Sequence, residues 1–247
     1  MLRAVFFDLY GTLVDITTDE GSPETSSAFE RWVESRFGVK AFERERAHPF
    51  LSDLRAIRPL PVLHAEPSIA PAVTSHLTTL LEREPSALEI DEMAEAFRSA
   101  SRRTLCLIPG ARETLLALRQ RFIVGLISNA QLLFTRPELR QVGLEPALFE
   151  PLLISSEIGV RKPSKHIFRA ALERAGVMAG EALHVGNDPL DDVDGAWAAG
   201  LFTCLVDDRR RRAEPTHVPS LRLPSVASLP EAILGPAAPA WARGPKR

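Results

Sequence analysis

The sequence predicts an α/β protein: a parallel sheet covered by helices on both faces, with a helical insert after the first strand. Three observations carry that prediction. A short apolar strand opens the chain and ends on an acid, Asp8; from Ile108 onward strands and helices alternate; and residues 19–103 between them show only helical periodicity. At 247 residues, 45% hydrophobic and 25% charged, the chain can form one large domain or two modest ones.

Residues 2–7, interrupted only by Arg3, hold a valine and two phenylalanines and suit a buried strand. The next residues, "DLYGTL", put Asp8 at the strand's carboxyl end, before a Gly-Thr turn. Ligands bind in the crevice outside such ends. Asp8 therefore either faces chemistry or caps the next element, and this stretch alone leaves both open. Segments 25–37, 71–83 and 89–103 carry apolar positions at helical spacing, and the prolines at 49, 59, 61 and 67 make 48–68 an irregular or partly helical connection. A helix then follows Pro109-Gly110, with strands over 122–129, 149–156, 181–188 and 202–207 and helices over 137–144, 164–176 and 191–200.

That alternation predicts a Rossmann-like parallel sheet, with residues 1–18 and 104–235 as its core. Residues 19–103 would form a small helical cap above the sheet's carboxyl edge, because they leave the chain just after Asp8. Residues 228–233 suit a last short helix, and 236–247, rich in Pro, Ala and Gly, a disordered tail. The run Arg209–Arg212 reads as a solvated loop.

A net charge of −2 gives no reason to expect nucleic acid or a membrane surface as partner. No apolar run approaches membrane-spanning length, and the acid at position 8 argues against a signal peptide, so a cytoplasmic location is expected. The expected partner is a small-molecule substrate, with monomer or homodimer left open. Cys106 and Cys204 lack metal-site spacing and read as buried free thiols.

Polar residues gather at four strand ends: Asp8 and Thr12, Ser128 and Asn129, Lys162, and Asn187 with Asp188, Asp191 and Asp192. Parallel strands deliver all these ends to one edge. Asp8 suits a nucleophile that forms a covalent ester. Ser128 with nearby N–H groups suits an anionic oxygen, and Lys162 can pair with Asp8 and the substrate. The acids near Asp188 suit a hard divalent cation shared with Asp8 and a backbone carbonyl.

The segments "DLYGTL", "ISN", "RKPSKHIF" and "HVGNDPLDDVDGAWAAG", in this order, resemble the four motifs of the haloacid dehalogenase superfamily, over roughly residues 4–207. The resemblance implies Asp8 as nucleophile, Ser128 as anion binder, Lys162 as the motif III lysine, and a cap closing over the substrate. It also implies Mg2+ held by Asp8, the Tyr10 carbonyl, Asp188 and Asp192, with Thr12, Asn129 and Tyr10 lining the substrate side. Two departures stand out. Family phosphatases usually carry an acid/base Asp where this chain has Tyr10, a group worth roughly 100- to 10,000-fold. A commoner spelling of motif IV also has Asp at the position of Asn187. The dehalogenases themselves carry Tyr at the first place, but use no metal and have a neutral fourth motif, whereas "GNDPLDD" holds three acids. No counterpart of their Arg-containing cap segment is found in residues 25–60. The reading favoured is a magnesium-dependent phosphohydrolase forming an aspartyl-phosphate on Asp8. A metal-free 2-haloacid dehalogenase and a weakly active binding or regulatory protein are the alternatives.

Overall fold

A computed structural model of the chain describes residues 1–38, 63–206 and 213–243. The proline-rich connection falls mostly outside them, as does the Arg209–Arg212 run.

The centre is an all-parallel sheet of six strands, β1 Ala4–Phe7, β4 Ile123–Ser128, β5 Leu152–Ile154, β6 Ala182–Gly186, β7 Phe202–Val206 and β8 Leu221–Leu223. Their order across the sheet is β5-β4-β1-β6-β7-β8. All four residues of β1 are buried, as expected of a strand covered on both faces. The period-2 pleat splits them: Val5 and Phe7 join the cluster containing Leu115, Leu118, Leu229 and Ile233, while Ala4 and Phe6 join Phe168, Ala171 and Ala196. The chain fills β4 and β5 on one side of β1 and β6 to β8 on the other. That reversal at β1 opens the crevice at its carboxyl end.

The helices are α1 Pro23–Phe37, α2 Ala70–Leu81 and α3 Ala87–Ser101 in the insert. The core has α4 Ala111–Leu118, α5 Leu132–Gln141, α6 Ser155–Ile158, α7 Lys165–Ala175, α8 Gly195–Ala198 and α9 Leu229–Leu234. Local chemistry sets several ends. Ser22 caps α1 by accepting from the Thr25 N–H, and Ser86 with Glu89 forms a capping box on α3. α5 starts five residues before its expected position at 137, running through Pro137, because Phe134 and Leu139 are buried on either side of it and outweigh the lost bond. The insert helices share a hydrophobic cluster of their own, with Phe29, Val33, Val73, Leu77, Met93 and Phe97, into which the core helix α5 sends Phe134.

The chain leaves and re-enters the core through an antiparallel ribbon, β2 Val14–Thr18 with β3 Arg102–Leu107. Helical periodicity conceals it, since residues 102 and 103 continue the pattern of the preceding helix. Cys106 lies exposed on this ribbon; only Cys204 is buried. A second junction lies beside Lys162: Ala65 bridges Val160, the Arg161 N–H donates to the His64 carbonyl at 2.8 Å, and Gln131 bonds Ile69, Pro67 and Glu66. Among the described residues, no helix is long and apolar enough to cross a membrane.

Residues 236–243, expected to be disordered, pack instead. Trp241 stacks on Phe202 with ring centroids 4.3 Å apart, its carbonyl accepts from the Leu2 N–H, and Ala238 and Ala242 are buried. Composition conceals this because one aromatic anchors an otherwise small-residue stretch. Trp241→Ala should therefore cost about 2 kcal/mol in urea unfolding; a change within error would mean the packing contributes nothing.

Candidate active site

The Asp8 N–H donates to the Val185 carbonyl at 2.9 Å, so the β1–β6 ladder carries Asp8 into the crevice with a fixed backbone. The residue is 7% exposed. Lys162 Nζ donates to Asp8 Oδ1 at 2.7 Å and to Asp192 Oδ1 at 2.6 Å, and is itself 2% exposed. Thr12 hangs from the same turn, donating toward Asp8 Oδ2 at 3.3 Å and Asn187 Oδ1 at 3.2 Å. Gly11 makes that turn at φ +87°, and a Cβ there would lie 2.5 Å from Asn187 Nδ2, so only glycine lets Asn187 lie against it.

Asp192 is the rigid end of the cluster. It is 1% exposed; Oδ1 takes Lys162 and His184 Nε2 at 2.9 Å, and Oδ2 takes the Asp188 N–H at 2.9 Å. Residues Pro189–Asp194 wind as one wide π-type turn that continues into α8, which swings Asp192 back over Gly186. A Cβ on Gly186 would fall 2.1 Å from Asp192 Cγ.

Two carboxylates share one ammonium, and their environments push them apart. Burial pushes the Asp8 carboxyl up to about 7, with Lys162 opposing and Asp192 adding to the rise. Burial also works against charge on Asp192, but Lys162 and His184 outweigh it and hold Asp192 below the usual carboxylate range. Lys162 is burdened by burial and nevertheless raised by Asp192 and Asp8. Burial lowers His184, which is consistent with a neutral ring donating from Nε2.

Several expected roles change. Asp188 does not face Asp8: it is exposed, and its Oδ1 caps the π-type turn by accepting from the Leu190 and Asp191 N–H groups. Asp192 meets Lys162 instead of presenting free oxygens to a metal. The motif IV side chain on the Asp8 turn is Asn187, one residue before the Asp188 expected there. The Asn129 amide is engaged within the protein: Oδ1 accepts from the Lys162 N–H at 2.8 Å, while Nδ2 donates to the Lys162 carbonyl at 3.1 Å and to Asp191 at 2.9 Å. Thr12 is fully buried on Asp8, and the Tyr10 hydroxyl donates to Glu138 and lies 3.4 Å from Thr135. The side chains of all three residues expected on the substrate side thus bond within the protein. Ser128, at the end of β4, is 1% exposed, and its Oγ has no hydrogen-bond partner among the described residues. Sequence reasoning missed Glu138: a single acid following Pro137 carries no periodic or spacing signal.

Because Asp8 is the less compensated carboxylate, Asp8→Asn should raise the urea midpoint in the presence of a chelator. Asp192→Asn should instead cost about 3 kcal/mol by leaving Lys162 poorly paired. Destabilisation by Asp8→Asn would overturn this charge assignment.

A haloacid dehalogenase-like hydrolase family model matches residues 2–200. The pyrimidine 5'-nucleotidase YjjG of Escherichia coli is 33% identical over 147 residues, 59% of this chain and 65% of that protein. The phosphoserine phosphatase of Thermus thermophilus is 38% identical over 133 residues, 53% of each chain, so these matches span about half to two thirds of the relatives. The glyceraldehyde 3-phosphate phosphatase of Methanothermobacter thermautotrophicus is 26% identical over 88% of this chain and 91% of that protein. Among solved structures, a 2-haloacid dehalogenase from Pseudomonas syringae pv. Tomato DC3000 superposes with TM-score 0.64 at 26% identity, covering 94% of this chain and 97% of that one. With its motifs on one sheet edge and the family match spanning most of its length, the chain belongs to the haloacid dehalogenase-like hydrolases.

Proposed function

We propose that the chain is a magnesium-dependent phosphohydrolase acting on a small phosphorylated metabolite, with Asp8 as nucleophile. The observation that carries this reading is the buried Ser128 hydroxyl on the strand beside β1, which has no hydrogen-bond partner among the described residues. Such a group costs about 1–3 kcal/mol unless something satisfies it. An anionic phosphoryl oxygen would do so, and Lys162, using two of its three donors on Asp8 and Asp192, keeps one for the same charge. The phosphatase and nucleotidase names among the relatives support a phosphate ester.

An Asp8 oxygen attacks phosphorus, the P–O bond to the leaving group breaks, and water then cleaves the aspartyl-phosphate, returning the carboxylate and phosphate. Lys162 and Ser128 hold charge on the phosphoryl oxygens, and Thr12 fixes the rotation of Asp8. The oxygens around Asp8 fit magnesium, which takes one or two carboxylates and fills its octahedron with waters and phosphate oxygens. Asp8, the Tyr10 carbonyl and Asn187 would hold the ion; Asp188 and Asp192 are engaged elsewhere. Bound there, magnesium would neutralise phosphate charge.

One observation favours a second reading, carbon–halogen hydrolysis. Tyr10 stands two residues after Asp8, but burial and Glu138 push its hydroxyl pKa up and commit the proton to Glu138, so it supplies no acid to a leaving group. A halide needs none. On the phosphatase reading, the same fact demands a substrate whose leaving group departs as a stable anion.

Two outcomes are expected. Wild-type protein should release phosphate from aryl or acyl phosphates at least about a hundredfold faster than from alkyl phosphates, and Asp8→Asn should release none. Halide release from a chloroacid in chelator, without phosphatase activity, would favour the dehalogenase reading. Magnesium should also raise the melting temperature; Asn187→Ala should largely remove the shift and Asn187→Asp should enlarge it, whereas no shift in the parent would remove the metal.

A further inference from the structure

Glu138 on α5 is 1% exposed and uses its two oxygens in opposite directions. Toward the insert, Oε1 accepts from Arg98 Nε at 2.8 Å and lies 3.5 Å from Arg102 Nη1. Those two arginines stand four residues apart, where α3 runs into β3. Toward the core, Oε2 accepts from the Tyr10 hydroxyl. Arg98 also donates to Glu20 at 3.0 Å, on the limb that enters the insert, and lies 4.9 Å from the centre of the Phe134 ring. One carboxylate thus bonds the root of the insert with one oxygen and, with the other, the residue two places after Asp8.

We propose that Glu138 is a positioning residue that couples the seating of the insert to the catalytic turn through Tyr10. The proposal rests on Asp8 being the nucleophile. A buried carboxylate is stable only with its counter-charges in place. Displacement of α3 from α5 would remove Arg98, and the carboxylate would have to turn after the remaining donors. Arg102 would be the remaining counter-charge beside it, and turning toward Arg102 would draw the acceptor away from Tyr10. Tyr10 lies in a short turn in which the Gly11 N–H bonds the Val14 carbonyl and Thr12 bonds Asp8, so a change at Tyr10 reaches the nucleophile within two residues. A purely stabilising network would need no link to that turn.

The test compares full-length Arg98→Met, Tyr10→Phe and the double variant, with p-nitrophenyl phosphate and magnesium as probes. Each single change should lower kcat about tenfold with KM little moved, as expected for a misplaced reacting group. The double variant should be no worse than either single. Wild-type kcat in Tyr10→Phe, which keeps the ring packing, or multiplying losses in the double variant, would overturn the proposal. Amide hydrogen exchange supplies a readout independent of activity. Arg98→Met should speed exchange in residues 9–14 as well as in α5, whereas faster exchange confined to α3 and α5 would overturn the coupling. If the wild type releases no nitrophenol, the functional reading fails, while the exchange result still decides whether insert and turn are linked.

Discussion

One ammonium between two buried carboxylates organises the carboxyl edge of the sheet. Lys162 reaches Asp8 and Asp192 at nearly equal distances, but the two acids are not equivalent. Asp192 is satisfied on both oxygens, by Lys162, His184 and a backbone N–H, and stays charged. Asp8 has Lys162, the Leu9 N–H and a long bond from Thr12, and burial still outweighs them, so its charge is incompletely compensated. The nucleophilic role proposed for Asp8 needs that imbalance: enough positive charge to be held, too little to be quenched. Much of the surrounding sequence maintains it. Gly186 has no side chain so that Asp192 can fold back, Asn129 clamps both backbone groups of Lys162, and β6 holds the Asp8 backbone.

The same logic explains the tyrosine at the position of the usual acid. Tyr10 faces away from proton transfer and toward Glu138, at the root of the insert. On the proposed function, leaving-group protonation is forgone there, and the substrates that suit the site are those with good leaving groups or, on the second reading, halides. What stands in its place is a hydrogen-bonded chain from α3 through Glu138 on α5 to the turn after Asp8, the coupling proposed above.

The sheet is readable in the sequence because parallel strands buried on both faces leave unbroken apolar runs, as in Ala4–Phe7, and because Gly176 and Gly200 stop helices where they stand. The β2–β3 ribbon is not, since Arg102 and Arg103 continue a helical pattern and strand pairing there is a long-range choice. That Asp8 and Ser128 lie on one edge is legible because strand ends share it, and Lys162 reaches that edge from the loop after α6. Their supports are not: whether Asn129 turns to substrate or to the Lys162 backbone depends on loop geometry that no spacing encodes. The one-residue slip from Asn187 to Asp188 has a similar cause, for the π-type turn that assigns Asp188 to capping and Asp192 to Lys162 is invisible before folding. Trp241 shows that one aromatic suffices to dock a segment whose composition reads as disorder.

Covalent chemistry at Asp8 is the central claim, and it is tested most directly by acid-quenching the enzyme during turnover of an aryl phosphate and mapping the adduct by peptide mass. The predicted result is a phosphoryl group on the peptide carrying Asp8 that disappears once substrate is exhausted. Steady phosphate release without an adduct, or an adduct on any other residue, would contradict it.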